Sequence, residues 1–398
     1  MIKKMKSLFI DNTITLNSPF NTGIQRTVRR LTEESNNNVH FKSYIINLND
    51  INKSSEKKTL IRVPSVIKNT FNIFLNKIGL FEIYSLILFK ISCYKFFRNT
   101  NVNESYFLNI DANWGPINLY FLDKFKKNGG KVISIYYDNG PYLHPEYFYP
   151  GLVTMFKKYW NECFKKSDLI LCISRTICNE LQDLINKDII NVKNNNLIID
   201  YFYLGNDHTS LDIKNLPINV TSKLNIKNYL VVGSIEPRKN NEYIFDVFET
   251  ILNTRKVKKE TLNLIFIYNN EWKQKNLIKK IKLSKYFNKN IFLLDDVNDR
   301  ELLYFYESSY ALINASFYEG YGLGIAEALS KNIKVFCSNN STFKELFSQS
   351  VIFFDNKNSS DLVEKIISDI DNPYRLKHIN LPSWNKSFMD LISKIQKV

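Results

Sequence analysis

The chain has 398 residues, 44% of them hydrophobic, and carries 54 Lys and Arg against 39 Asp and Glu, a formal net charge of +15. It is long and apolar enough to bury real cores in two domains of ordinary size. Five cysteines without a CxxC pair argue for a reduced cytoplasm and against a disulfide framework, and four scattered histidines argue against a zinc site.

The charge is uneven. Residues 1–100 hold 16 Lys and Arg against 6 Asp and Glu, whereas residues 101–200 hold 11 of each. The N-terminal quarter therefore points to an anionic partner, a nucleic acid or an anionic membrane surface, unless it is only a lysine-rich solvated face. Met1-Ile2-Lys3-Lys4-Met5-Lys6 is basic, but the apolar run behind it is only Leu8-Phe9-Ile10. That is too short for a signal peptide and reads as a first strand, and no uncharged apolar run reaches the ~18 residues of a membrane span.

In chain order, the first strand (7–10) leads through Asn21-Thr22-Gly23-Ile24-Gln25-Arg26 into a helix expected over 23–34. A glycine opening the first helix of an α/β domain fits a phosphate contact, or an ordinary flexible loop. The segment is not GxGxxG, so a nicotinamide-dinucleotide fingerprint is rejected. Over 65–98, Ile67, Phe71, Phe74, Ile78 and Phe81 recur at helical spacing, with Lys68, Lys77, Lys90, Lys95 and Arg98 around an aromatic body. A helix lying in a membrane interface and an ordinary core-facing helix both fit. Strands follow at 106–110, 132–136, 169–173 and 197–203, with helices at 147–166 and 176–185. Asp138, in Tyr137-Asp138-Asn139-Gly140-Pro141, stands at a strand's carboxyl end, where it can serve as general base or acceptor ligand, or simply form a turn.

A second series begins near residue 228. Strands are expected at 229–232, 262–268, 291–294, 311–314, 334–337 and 351–354, and helices at 242–254, 272–282, 300–307, 325–330 and 360–369. The alternation predicts an α/β chain with two doubly wound parallel sheets facing a cleft. Gly233 follows the first strand of this series and allows close approach to the backbone; Arg238 offers a planar fork to phosphate oxygens and Lys239 a compact charge. Farther on, Phe317-Tyr318-Glu319-Gly320-Tyr321-Gly322-Leu323-Gly324-Ile325-Ala326-Glu327 joins a strand, a glycine-rich turn and a helix N-terminus between two glutamates. Backbone amides there suit phosphate, and the carboxylates suit hydroxyl groups. A literal DxD, Asp369-Ile370-Asp371, falls at the end of a late helix and reads as surface charge.

Taken in order, several segments resemble glycosyltransferase family 4, the retaining nucleotide-sugar transferases of GT-B fold: Thr22-Gly23-Ile24-Gln25-Arg26, residues 111–114, Tyr137-Asp138, Leu171-Cys172-Ile173-Ser174, Leu204-Gly205-Asn206-Asp207, residues 233–240, the E-x7-E pair Glu319 and Glu327, and Ser383-Trp384. The resemblance covers nearly the whole chain. It implies two Rossmann-like domains, an acceptor-binding one over 1–210 and a donor-binding one over 211–380, with a helix over 381–398 crossing back to the first. It also implies roles. Arg238 and Lys239 would hold the donor diphosphate, Glu319 the donor sugar near its anomeric carbon, and Glu327 the ribose. Amides of Gly320, Tyr321, Gly322 and Leu323 would contact sugar and phosphate, Gly233 and Gly23 would lie at the donor, and Asp138 would orient or deprotonate the acceptor hydroxyl. No metal and no cofactor are expected beyond the nucleotide-sugar substrate. GDP-mannose is favoured, because relatives with the Ile235-Glu236-Pro237-Arg238-Lys239-Asn240 form are often mannosyl-type, and UDP-sugars stay open. The expected acceptor is a saccharide or lipid-linked saccharide of surface polysaccharide (O-antigen) synthesis, met by a cytoplasmic protein peripheral on the inner face of an anionic membrane. A non-catalytic nucleotide-sugar-binding protein is the alternative; nucleic-acid binding rests on charge alone, since nothing resembles a base-reading module. The chain departs from the family at Ala315, Gly324 and Lys334, where Pro is frequent, and at Asn332, where Gly is.

Overall fold

The computed structural model describes residues 7–18, 21–38, 41–48, 81–206, 227–254, 262–268, 274–295, 297–374 and 377–398. The expected helical positions Ile67, Phe71, Phe74 and Ile78, the helix start at Trp272, and Asp207 of the strand-end motif lie outside the described residues. The chain divides into two units, Met1–Leu204 with Trp384–Val398, and Gly205–Ser383.

Unit 1 runs β1 (Ser7–Asp11), α1 (Gly23–Asn37), β2 (Lys42–Ile46), α2 (Phe81–Asn99), β3 (Tyr106–Asn109), α3 (Pro116–Lys127), β4 (Lys131–Tyr136), α4 (Gly140–Leu143), α5 (Pro150–Lys166), β5 (Leu169–Cys172), α6 (Arg175–Asn186) and β6 (Ile198–Tyr201). The strands form one parallel sheet in the order β2-β1-β3-β4-β5-β6. β3 and β5 are buried along their whole length, which is why they read as uninterrupted apolar runs. β2 was not expected from the sequence: it is a partly buried edge strand in which Lys42 and Ser43 precede the short apolar run Tyr44-Ile45-Ile46. Nor was α3, where Pro116 occupies the first turn, which has no amide bond to lose, and Phe121, Leu122 and Phe125 face inward.

Unit 2 runs β7 (Lys227–Val232), α7 (Asn241–Asn253), β8 (Leu262–Ile267), α8 (Lys275–Leu283), β9 (Ile291–Leu294), α9 (Asp299–Ser308), β10 (Ala311–Asn314), α10 (Leu323–Ser330), β11 (Lys334–Ser338), α11 (Ser341–Phe347), β12 (Ile352–Phe354) and α12 (Ser359–Asp371). Its parallel sheet has the order β12-β11-β10-β7-β8-β9. Strand order reverses between β7 and β10, the topological switch point at which doubly wound sheets take ligands. In unit 1 the reversal lies between β1 and β3.

The last helix, α13 (Trp384–Ile395), belongs to unit 1. Trp384, Phe388, Leu391, Ile392 and Ile395 repeat at helical spacing and are buried, with Phe388 6.2 Å from the Phe41 ring. Ser387 Oγ donates to the Tyr203 carbonyl at 2.6 Å, and Lys394 pairs with Asp200 at 3.0 Å. The two ends of unit 2 are joined by a β-bridge between Asn206 and Ser383, and Asn206 N–H donates to the Pro382 carbonyl at 2.9 Å.

One sequence reading is corrected. Asp369 is not surface charge: it is fully buried, paired with Lys334, and accepts from Tyr310 Oη at 2.7 Å and Tyr374 N at 2.8 Å. Its position in α12 turns it under the sheet, toward a lysine that stands in β11 where the family often has proline.

Candidate functional site

The switch point of unit 2 gathers most of the expected donor residues. β7 ends at Val232, and Gly233 turns the chain with φ +125°, a left-handed value that glycine adopts freely. Nothing lies within 4 Å of where a Cβ on Gly233 would stand, so the backbone is open there. A short 3-10 turn, Pro237–Lys239, then carries Arg238 and Lys239, and Asn240 at φ 53° starts α7.

From the neighbouring strand β10, Glu319 arrives between these two cations. Arg238 Nη1 lies 2.8 Å from Glu319 Oε2, and Lys239 Nζ bonds Glu319 Oε1. Ser316 Oγ donates to the same Oε1 at 2.9 Å. Arg238 is fixed from behind: its Nη2 pairs with Glu236 at 2.9 Å and its Nη1 donates to the Tyr318 carbonyl at 3.0 Å. The Phe317 N–H donates to the Arg238 carbonyl at 2.9 Å, tying the two loops together. Glu319 is buried, which by itself would raise its pKa; the Arg238 and Lys239 charges and their hydrogen bonds outweigh burial and hold it at about 2.

The glycine-rich turn follows. Gly322 has φ +99° and leads into α10, and a Cβ there would meet the Phe343 ring at 2.7 Å. Gly320 and Tyr321 are buried beside Glu319, whose carbonyl accepts from Thr342 Oγ1 at 2.8 Å. Leu323 opens α10, whose first turn holds no acidic residue, so its N-terminal amides and dipole favour an anion. Glu327, one turn on, accepts from Tyr306 Oη at 3.1 Å. A Cβ on Gly324 would stand 3.4 Å from that hydroxyl.

Unit 1 holds the other two expected residues, both at the carboxyl edge of its sheet and two strands apart. Gly23 is the exposed first residue of α1, where the Gln25 carboxamide reaches back to accept from Thr22 N–H at 3.0 Å. Asp138 follows β4, and its Oδ1 accepts from Gly140 N at 2.9 Å, the turn-forming bond that its Asp-Asn-Gly-Pro sequence allows.

Sequence reading missed the supporting residues. Glu236, Ser316 and Tyr306 acquire their roles only through partners brought by the fold. It also missed the polar cluster at the unit 1 switch point. Asp111 accepts from Ile14 N at 2.7 Å, Thr15 N at 2.8 Å and Thr15 Oγ1 at 2.9 Å, fixing the loop between β1 and α1. Asp11, fully buried beside it, accepts from Thr13 Oγ1 and from Asn118 Nδ2 at 3.0 Å. Burial first, and the Asp111 charge second, raise its pKa to about 7.

Residues 214–380 match the sequence family described as glycosyl transferases, group 1. The serotype-specific mannosyltransferase WbdA of Escherichia coli is 26% identical over 286 residues, covering 69% of this chain and 34% of that protein. The O-antigen chain mannosyltransferase B of Escherichia coli is 25% identical over 217 residues, covering 54% of this chain and 55% of that protein. The chain thus spans about a third of the length of the first of these relatives. Among solved structures, sucrose-phosphate synthase from Thermosynechococcus elongatus superposes with a TM-score of 0.65 at 12% identity, covering 98% of each chain. An α,α-trehalose-phosphate synthase (UDP-forming) from Burkholderia xenovorans, in complex with glucose-6-phosphate, gives 0.65 at 9% identity, covering 99% of this chain and 100% of that one. These likenesses show the fold, two Rossmann-like units of the GT-B class.

Proposed function

From the premise that the chain carries a group 1 glycosyltransferase domain, we propose that it moves a hexose, mannose in our reading, from a nucleotide-sugar to a saccharide or lipid-linked saccharide acceptor with retention of configuration. The observation that carries this reading is the Glu319 carboxylate bonded by both Arg238 and Lys239 at the switch point, beside the open backbone of Gly233. A donor diphosphate would draw the two cations onto its oxygens and leave Glu319 for the sugar hydroxyls.

The chemistry follows from these positions. The bond between the anomeric carbon and the leaving phosphate oxygen breaks, and its electron pair goes to that oxygen. Arg238, Lys239 and the α10 amides offset the developing charge. The acceptor hydroxyl attacks from the same face and its proton passes to the departing phosphate, releasing a nucleoside diphosphate. Glu327, steadied by Tyr306, would hold the ribose, and Asp138 would orient the acceptor hydroxyl. The relatives' mannosyltransferase names support GDP-mannose as donor and an O-antigen-type acceptor. We place the protein at the inner face of an anionic membrane, where a lipid-linked acceptor would be presented; no helix among the described residues is long and apolar enough to cross a membrane.

The test is transfer from a panel of labelled nucleotide-sugars to extracted membrane acceptors. Product from GDP-mannose, lost in Glu319→Ala and Lys239→Ala, is expected. Full activity in both variants refutes the site, and nucleoside diphosphate binding without transfer to any acceptor marks a binding protein instead.

A further inference from the structure

Helix α2 has two unlike faces. At 3.6 residues per turn, Phe89, Ser92, Cys93 and Phe96 share one side and are 2%, 6%, 1% and 6% exposed. Ile87, Ile91 and Tyr94 share the opposite side and are 49%, 50% and 69% exposed. Their spacing makes them one continuous stripe rather than scattered single residues. Lys90 stands on one shoulder of the stripe and Lys95 on the other, and Arg98 extends it by a turn; all three are exposed. Between residues 86 and 99 the helix holds no acidic residue. On the adjoining α3, Lys124 and Lys90 both approach the Tyr120 ring, at 5.5 and 5.6 Å, which adds positive charge to the Lys90 shoulder, while Asp123 is paired with Lys127 at 2.8 Å.

We propose that the outer face of α2 is a docking surface for an anionic lipid bilayer. Ile87, Ile91 and Tyr94 enter the interface, while the lysine stems run along it and carry their ammonium groups to the headgroup phosphates. The charge pattern selects this occupant. A second copy would bring the same three cations against themselves across a two-fold axis, whereas a bilayer supplies apolar depth at the centre and negative charge at both edges. The surface belongs to the N-terminal quarter that holds the chain's excess of basic residues. The inference rests on the membrane-location part of the reading above and is independent of the transferase part.

The experiment is co-sedimentation of the full chain with liposomes of phosphatidylcholine alone or with phosphatidylglycerol added. Wild type should pellet only with phosphatidylglycerol and be released by salt. Ile87→Asp with Ile91→Asp should abolish binding, and Lys90→Glu with Lys95→Glu should weaken it by about tenfold or more. Both pairs are exposed, so thermal unfolding should match wild type. If wild type needs phosphatidylglycerol but the variants pellet equally well, the docking surface lies elsewhere and the inference is overturned. If wild type never pellets, the membrane location falls with it. If the variants change only the oligomeric state seen by light scattering, the face joins copies of the chain and the lipid proposal is overturned.

Discussion

Replacing Glu319 with Gln keeps the side chain's shape and removes its charge. In the wild type the carboxyl is held at about 2 against an ordinary 4.5, a depression worth roughly 3 kcal/mol at about 1.36 kcal/mol per unit. Because the folded pKa is lowered, that stabilisation is complete above pH 4.5 and is lost as pH falls toward 2. The variant lacks it and leaves Arg238 and Lys239, each with a side chain only 19% exposed, facing a neutral amide. Unit 2 of the variant should therefore be about 3 kcal/mol less stable than wild type at pH 7, with about 2 kcal/mol of that difference gone by pH 3. Cys337, buried in β11 and the only cysteine of unit 2, gives a local reporter. Its trapping by a pyridyl disulfide across a urea titration, read by mass spectrometry, follows the opening of this unit alone. A variant as stable as wild type at neutral pH, or a stability difference identical at pH 6 and pH 3, refutes the ion cluster as the source of the effect.

Further outcomes are expected at neighbouring positions. Lys239→Met should abolish transfer and weaken nucleoside diphosphate binding by about tenfold or more, measured calorimetrically; unchanged binding would remove Lys239 from the diphosphate site. Gly322→Ala should cost about 1–3 kcal/mol, because φ +99° is strained for alanine and its Cβ meets Phe343; an unshifted melting curve would contradict the turn geometry. Tyr306→Phe removes the donor to Glu327 and should raise donor KM several-fold, about 1 kcal/mol, with kcat held; a fall in kcat alone would count against a positioning role. Asp11 works in the opposite sense to Glu319. Its folded pKa is raised from 3.8 to about 7, so its contribution is intact below pH 3.8 and is lost as pH rises through 7. Unit 1, followed by fluorescence of Trp114, Trp160 and Trp384 in a Trp272→Phe background, should lose about 3 kcal/mol between pH 5 and 8. A flat or rising urea midpoint over that interval would contradict the raised pKa.

The parts legible in the sequence are those whose signal is local. Buried parallel strands such as Leu262–Ile267 announce themselves as apolar runs, and Glu319, Arg238 and Lys239 stand next to strand ends, where charge has little other use. β2 escaped because an edge strand of mixed residues has no period to read, and α3 because its proline looks like a breaker until it is seen in the first turn. Asp138 was readable as base or as turn, and the bond to Gly140 shows that it makes the turn whatever else it does. Asp369 and Lys334 were unreadable as a pair: 35 residues separate them, and only the packing of α12 against the sheet brings charge to charge. The Asp11 and Asp111 cluster escaped for the same reason, its members lying 100 positions apart.

The short bridge between Asn206 and Ser383 has a consequence for how such a chain is assembled and rebuilt. Since the entry and exit of unit 2 lie side by side at Asn206 and Ser383, that unit is in effect a cassette spliced into unit 1, whose helix α13 is delivered only after the cassette has been read through. During synthesis unit 1 must wait until unit 2 has been made before Trp384, Phe388 and Leu391 can close its surface. A chimera meant to exchange unit 2 therefore needs two cuts, at the Leu204–Gly205 and Ser383–Trp384 junctions. A single crossover after residue 204 would import a foreign closing helix and spoil the half it was meant to preserve.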